Sequence, residues 1–285
     1  MSAAVWRVRG GRTLDATVRT LVMGVLNVTP DSFSDGGAHA TPDDAVAAGV
    51  RMAEEGADIL DIGGESSRPG RAETLTADGE WARVGPVLTA LRARLPGTVL
   101  SVDTWREETA RRALDAGADV INDIWALRRG PGIAAAVAEA GAGLVLMHML
   151  GEPATMQDAP EYGDVVVEVK DFLRGRVEAA TAAGVPEECV AVDPGLGFGK
   201  TFDHNVQLLA GLEYLRLLQR PILVGASRKT FLGHLTGVAD PADRLEASLA
   251  AACAAVMGGA AVVRVHDVRA TRRALAVMDA VRGEG

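Results

Sequence analysis

Apolar and polar positions alternate in blocks along this chain. Apolar runs fall at 21–26, 57–62, 98–102, 119–124, 143–149, 189–192, 221–225 and 260–265, each of a length that suits a buried strand. Between them lie stretches with helical spacing, rich in alanine, arginine and glutamate: 42–55, 78–94, 106–116, 131–140, 162–183, 203–218, 241–257 and 267–281. Thr41-Pro42-Asp43-Asp44 opens the first of these with proline in the first turn. Gly56, Gly117, Gly141 and Gly184 end four of them where a left-handed cap is expected. Residues 5–20 read as a small hairpin turning at Gly10-Gly11. Eight strand-then-helix units in about 250 residues predict an α/β fold, a (β/α)8 TIM barrel with a short N-terminal β-hairpin. A doubly wound open sheet is the structural alternative, and the count of eight with near-even spacing favours the barrel. No linker rich in proline, glycine or serine divides the chain, so 1–285 is expected to form one domain.

Polar residues gather where the runs end. Asn27 ends the first, and the second is followed by Glu65, Ser66, Ser67 and Arg68, with Asp61 near its close. Asp103 ends the third, Asn122 and Asp123 the fourth, Met147-His148-Met149 the fifth and Asp193 the sixth. Ser227-Arg228-Lys229 follows the seventh, and Arg264, His266 and Asp267 end the eighth. A barrel brings strand ends to one face, where active sites sit. The segment 27–37 stands out, because a plain connection needs only about 2–6 residues. It carries an amide, hydroxyls, two carboxylates, Phe33 and a glycine pair, and it reads as a mobile lid.

Bulk properties narrow the classes. With 285 residues, 48% of them hydrophobic, the chain can bury a large core. A formal charge of −9 argues against a broad nucleic-acid footprint. Cys189 and Cys253 sit singly inside apolar runs, without disulfide or zinc spacing, and this predicts a reducing cytoplasm. Arg7 and Arg9 have no apolar block after them, so no secretory leader is expected. The longest uncharged stretch, between Glu246 and Arg264, is interrupted by Gly258-Gly259 and reads as a buried helix and a strand, not a membrane span.

Two chemistries are expected in one cavity. Asp103, Asn122, Asp193 and Lys229 offer directional donors and acceptors for a flat heterocycle with amino, ring N–H and carbonyl edges, with Met147 against its face. Asn27, Ser67, Arg68, Arg264 and His266 suit phosphate oxygens. Asn27 can also ligate Mg²⁺, which takes oxygen ligands and is often shared with substrate phosphates. Gly195-Leu196-Gly197-Phe198-Gly199-Lys200 has the spacing of neither a P-loop nor a dinucleotide fingerprint. Its glycines would let backbone pass close to a ligand, with Phe198 as a wall. His148, alone in an apolar run, reads as a core histidine.

Taken in order, the motifs at 23–37, 61–70, 101–103, 121–123, 147–149, 193–200, 227–231 and 264–266 resemble the dihydropteroate synthase family of the folate pathway. The resemblance implies condensation of 6-hydroxymethyl-7,8-dihydropterin pyrophosphate with 4-aminobenzoate, with Mg²⁺ required. It implies that Asp103, Asn122, Met147, Asp193 and Lys229 hold the pterin. Asn27, Ser67, Arg68, Arg264 and His266 would hold the pyrophosphate, with Asn27 on the metal. Phe33, Ser67, Pro69, Phe198, Lys229 and Thr230 would shape the 4-aminobenzoate pocket. Asp193, Lys229, Arg68 and Asp35 would be catalytic, and the loops Asp31–Asp35 and Ser66–Gly70 would close over the site. Ser67 stands where many relatives have threonine and keeps the hydroxyl. The partners implied are small molecules and a second copy of the chain, with no nucleic acid and no membrane. A pterin-binding methyltransferase barrel would have no use for Arg68, Arg264 and His266, and a catalytically silent barrel would not need both sets intact.

Overall fold

The structure is a computed structural model that describes residues 4–29, 41–65, 75–153 and 155–283. An antiparallel pair, β1 (Val5–Arg7) and β2 (Thr13–Asp15), precedes the barrel. The eight barrel strands are β3 (Leu21–Asn27), β4 (Ile59–Gly63), β5 (Val99–Asp103), β6 (Val120–Asp123), β7 (Gly143–Met147), β8 (Val190–Asp193), β9 (Leu223–Val224) and β10 (Val262–Val265). All are parallel, in the order β8-β7-β6-β5-β4-β3-β10-β9. A parallel bridge between Val192 and Ile222, with Val192 N–H donating to Pro221 O at 2.9 Å, joins the two ends of this sheet. The ring closes as expected for a (β/α)8 barrel.

The helices are α1 (Pro42–Glu54), α2 (Ala77–Arg94), α3 (Glu107–Asp115), α4 (Gly132–Ala140), α5 (Val165–Ala182), α6 (Phe202–Ala210), α7 (Thr230–Thr236), α8 (Leu245–Met257) and α9 (Val268–Gly283). Thr41 caps α1 by accepting from Asp44 N–H, and Asp44 answers on the Thr41 backbone, a reciprocal cap worth about 1 kcal/mol. Gly141 ends α4 at φ 59°, a left-handed position that costs glycine nothing.

Several elements differ from the sequence expectation. The stretch 203–218 is not one helix: α6 stops at Gly211, and Leu212–Leu218 winds as a tighter 3-10 helix. Pro241–Asp243 is a separate 3-10 turn before α8. The helix expected from 162 starts at Val165, where Asp164 accepts from the Val166 and Val167 amides. The seven-residue α7 lies in a gap where no helix is expected.

Strand periodicity explains what fills the barrel. Residues i and i+2 face the same side. Met23, Ile59, Val99, Val120, Val145, Ala191, Leu223 and Val262 form a buried apolar layer in the lumen together with Trp6 and Val8 of the hairpin segment. Trp6 Nε1–H donates to Cys189 O at 2.8 Å, so the hairpin seals the N-terminal mouth. Moving up two residues from that layer gives Val25, Asp61, Ser101, Asn122, Met147, Asp193 and Arg264, and two more give Asn27, Gly63 and Asp103. The same parity that builds the core therefore delivers the polar residues to its open end. Alternate residues such as Leu60, Ile62, Leu100, Val102, Ile121, Leu144 and Leu146 face outward into the helix layer.

Candidate active site

Asp61 is the hub of the lumenal polar layer. It is 0% exposed and accepts from Ser101 Oγ at 2.6 Å, Asn122 Nδ2 at 3.0 Å and Arg264 Nε at 2.7 Å. Arg264 also donates from Nη2 to Asp103 Oδ2 at 3.1 Å. Four strands, β4, β5, β6 and β10, are thus tied by one ionic network. Asn27, Gly63, Asp103 and Asn122 are successive register partners across β3 to β6, so their side-chain positions form one row along the rim. Burial pushes the Asp103 carboxyl above the usual carboxylate range, against the pull of Arg264.

Across the barrel, Met147 and Asp193 are register partners on β7 and β8. Asp193 is buried and accepts from the Gly195 N–H at 2.7 Å. Burial raises its carboxyl, and Lys229 opposes the shift. Lys229 donates Nζ to Leu196 O and lies 4.5 Å from the centre of the Phe198 ring. Burial brings Lys229 down to about 8, with Asp193 resisting. Phe198 packs beside Met147, Met149, Met156, Ile124 and Trp125. The outcome is a half-ring of apolar wall with one carboxylate and one ammonium set into it.

The third part is the junction of β9 and β10. Ser227 Oγ lies 3.0 Å from His266 Nδ1 and accepts from the His266 amide at 3.2 Å. Arg228, at φ 60°, holds Asp267 through Nε at 3.1 Å and Nη2 at 2.7 Å. Two of three consecutive residues thus brace the end of β10, and Lys229 is left for the cavity.

The profile of the pterin-binding enzymes matches residues 23–266. The dihydropteroate synthase of Synechocystis sp. is 45% identical over 272 residues, covering 95% of this chain and 93% of that protein. The chain belongs to the dihydropteroate synthase family. Its fold superposes on the Xanthomonas albilineans dihydropteroate synthase with 4-aminobenzoic acid at a TM-score of 0.90, with 49% identity and 99% of both chains covered. The same bacterial enzyme in complex with 7,8-dihydropteroate gives 0.86 at 48% identity, over 96% of this chain and 98% of that one.

With the family in hand, the expected site residues divide three ways. Asn27, Asp103, Asn122, Met147, Asp193 and Arg264 lie in the lumen at the strands' C-terminal ends. His266, Phe198 and Lys229 stand on the loops directly above, and Thr230, exposed, opens α7. Phe33, Asp35, Ser67, Arg68 and Pro69, and the two loops that carry them, lie outside the described residues. Three working residues carry no assignment in the sequence reading: Asp61, Ser101 and Ser227. Asp61 had a visible signal, a charge inside an apolar run and in phase with Ile59 and Gly63. Asp123 serves the backbone instead. It accepts from Trp125 N–H at 2.8 Å and Leu127 N–H at 2.7 Å and so holds Ala126 and Leu127 at positive φ.

Proposed function

We propose that the chain condenses 6-hydroxymethyl-7,8-dihydropterin pyrophosphate with 4-aminobenzoate, releasing 7,8-dihydropteroate and pyrophosphate. The observation that carries this reading is the lumenal constellation of Asp61, Asp103, Asn122, Asp193, Lys229 and Arg264 in a chain of this family.

The pterin lies between Asp103 and Asn122 on one side and Asp193 and Lys229 on the other, with Met147 against its face. Breaking the C–O bond to the diphosphate leaves positive charge on the exocyclic methylene, spread into the ring. Asp193, a buried carboxylate that makes no ion pair among the described residues, accepts from the ring N–H groups and stabilises that charge. Arg264 has committed Nε and Nη2 to carboxylates and presents Nη1 to the departing diphosphate, together with His266. The family resemblance assigns Ser67 and Arg68, which lie outside the described residues, to the same anion. Preorganised donors of this kind are each worth about 10²–10³ in rate. The arylamine enters along Phe198, forms the C–N bond at the methylene and loses one proton. No side chain needs to act as a nucleophile.

Mg²⁺ fits the donor set. Among the described residues no cluster of three His, Cys, Asp or Glu is placed to hold a metal. The rim offers the Asn27 amide oxygen instead, facing Gly63. Mg²⁺ commonly takes one or two protein oxygens and completes its shell with water and substrate phosphates. When bound, it would neutralise charge on the diphosphate.

The test is calorimetric titration with the pterin pyrophosphate, with and without Mg²⁺. One site per chain, tighter with the ion, is expected, and no binding in either condition overturns the reading. The pH profile gives a second check. kcat/KM should fall about tenfold per pH unit above about pH 8, where free-enzyme Lys229 loses its proton. A profile flat to about pH 10 contradicts a required ammonium.

The chain is further proposed to act as a cytoplasmic homodimer. Its two cysteines are unpaired, and no described helix is long and apolar enough to cross a membrane. Phe202, Val206, Leu235 and Met257 expose apolar surface on α6, α7 and α8, which pack together, and such a patch marks an association surface. Sedimentation should give about twice the 29.6 kDa chain mass, and Leu235→Glu should halve it. A monomeric native chain contradicts this assembly.

A further inference from the structure

One buried lysine has no part in the reaction, yet it sits directly behind the site's apolar wall. Lys200 is 3% exposed. Its Nζ donates to Gly195 O at 2.9 Å and Phe198 O at 3.0 Å, and lies 2.9 Å from His148 Nδ1. His148, at the end of β7, is itself buried against the Phe172 ring at 4.8 Å.

The turn 195–199 is irregular, so its carbonyls have no ladder to join, and unpaired buried carbonyls are costly. Each of the five accepts from a side chain, and Gly195 O accepts from Phe198 N–H at 3.1 Å as well. Lys200 serves Gly195 and Phe198, Lys229 serves Leu196, Gln157 Nε2 serves Gly197 at 2.6 Å and Tyr162 Oη serves Gly199 at 2.7 Å. Gln157 is exposed and Tyr162 half-buried. Lys200 alone is fully buried and serves two. The turn also lies flush on the chain after β7. A Cβ at Gly195 would come within 1.9 Å of His148 O, and one at Gly199 within 2.4 Å of Leu150 O.

We propose that Lys200 is a positioning residue that cross-links His148 to the 195–199 turn and thereby sets the position of Phe198 against the arylamine. An ammonium has three donors for these three acceptors. A neutral amine would give two N–H groups to the carbonyls and accept from His148 Nδ1–H. One proton is shared between Nζ and Nδ1, and the cross-link is complete in either arrangement. This inference rests on Phe198 walling the 4-aminobenzoate pocket. The turn also touches the pterin side, where Asp193 accepts from Gly195 N–H, Lys229 donates to Leu196 O and Met147 packs beside Phe198, but Lys200 hydrogen-bonds to none of these three side chains, so its loss bears first on Phe198.

Lys200→Met keeps the stem and removes every donor. Hydrogen exchange at the Gly195, Gly197 and Phe198 amides should speed about tenfold or more while the barrel strands keep their protection. KM for 4-aminobenzoate should rise about fivefold or more, with KM for the pterin pyrophosphate within about twofold. If Lys200→Met does not fold, His148→Gln carries the test, with the same KM change in the same direction, about threefold. In the double variant the two effects should not add. Unchanged exchange across the turn, or both KM values moving together, overturns the proposal. A native chain that makes no dihydropteroate defeats the reaction assignment instead, and the exchange measurement still decides the cross-link.

Discussion

Asp61→Ala is expected to cost about 3–5 kcal/mol of stability, the usual penalty for stripping one partner from a buried charge pair. It should also lower kcat/KM at least about a hundredfold, because it removes the anchor of a catalytic donor. The cause is the number of donors the carboxylate serves. Ser101, Asn122 and Arg264 all point hydrogens at it, so only a group with nothing but acceptors satisfies the three together. Without it, Asp103 at the rim is the one remaining partner of Arg264 among the described residues, and Asn122 loses its bond to the hub. Asp61→Asn keeps the shape but sets an amide N–H against a donor, and should lose activity by a similar factor with a smaller stability loss. Urea unfolding midpoints and steady-state kinetics measure both effects. A midpoint within about 0.5 kcal/mol of the native chain, with activity retained, would show that the hub is dispensable.

Asp193→Ala and Lys229→Ala should each abolish measurable turnover while the barrel stays folded. The two differ from Asp61 in what they support. Among the described residues the Asp193 side chain makes one hydrogen bond, from the Gly195 amide, and Lys229 Nζ makes one, to Leu196 O. Removing either disturbs a loop and not the network that joins four strands. A loss of about 10²–10³ or more is expected, as for other preorganised groups that meet transition-state charge. Circular dichroism and unfolding midpoints near those of the native chain would assign the loss to chemistry. Near-native activity in either variant would remove the cation-stabilising role from the mechanism.

Much of this site was legible before the fold, for a geometric reason. A parallel barrel makes the end of every strand a position on one face, so Asn27, Asp103, Asn122, Asp193 and Arg264 could be grouped from their places in the apolar runs. What resisted reading depends on contacts between distant residues or on short elements. The Ser227–His266 and Arg228–Asp267 ties span 39 residues, and no local pattern announces them. Helix α7 has seven residues, fewer than periodicity needs to register. Strand β9 pairs over two residues because the next chain segment turns at once toward the site. Arg264, expected on phosphate oxygens, also pairs with two carboxylates, Asp61 and Asp103, on strands inside the lumen, and that pairing aims it at the cavity.

The most direct measurement is product stoichiometry. Purified chain incubated with the pterin pyrophosphate, 4-aminobenzoate and Mg²⁺ should form 7,8-dihydropteroate and pyrophosphate in equal amounts, with neither appearing when Asp193 is alanine. Pyrophosphate released without dihydropteroate, or no consumption of either substrate, would contradict the account.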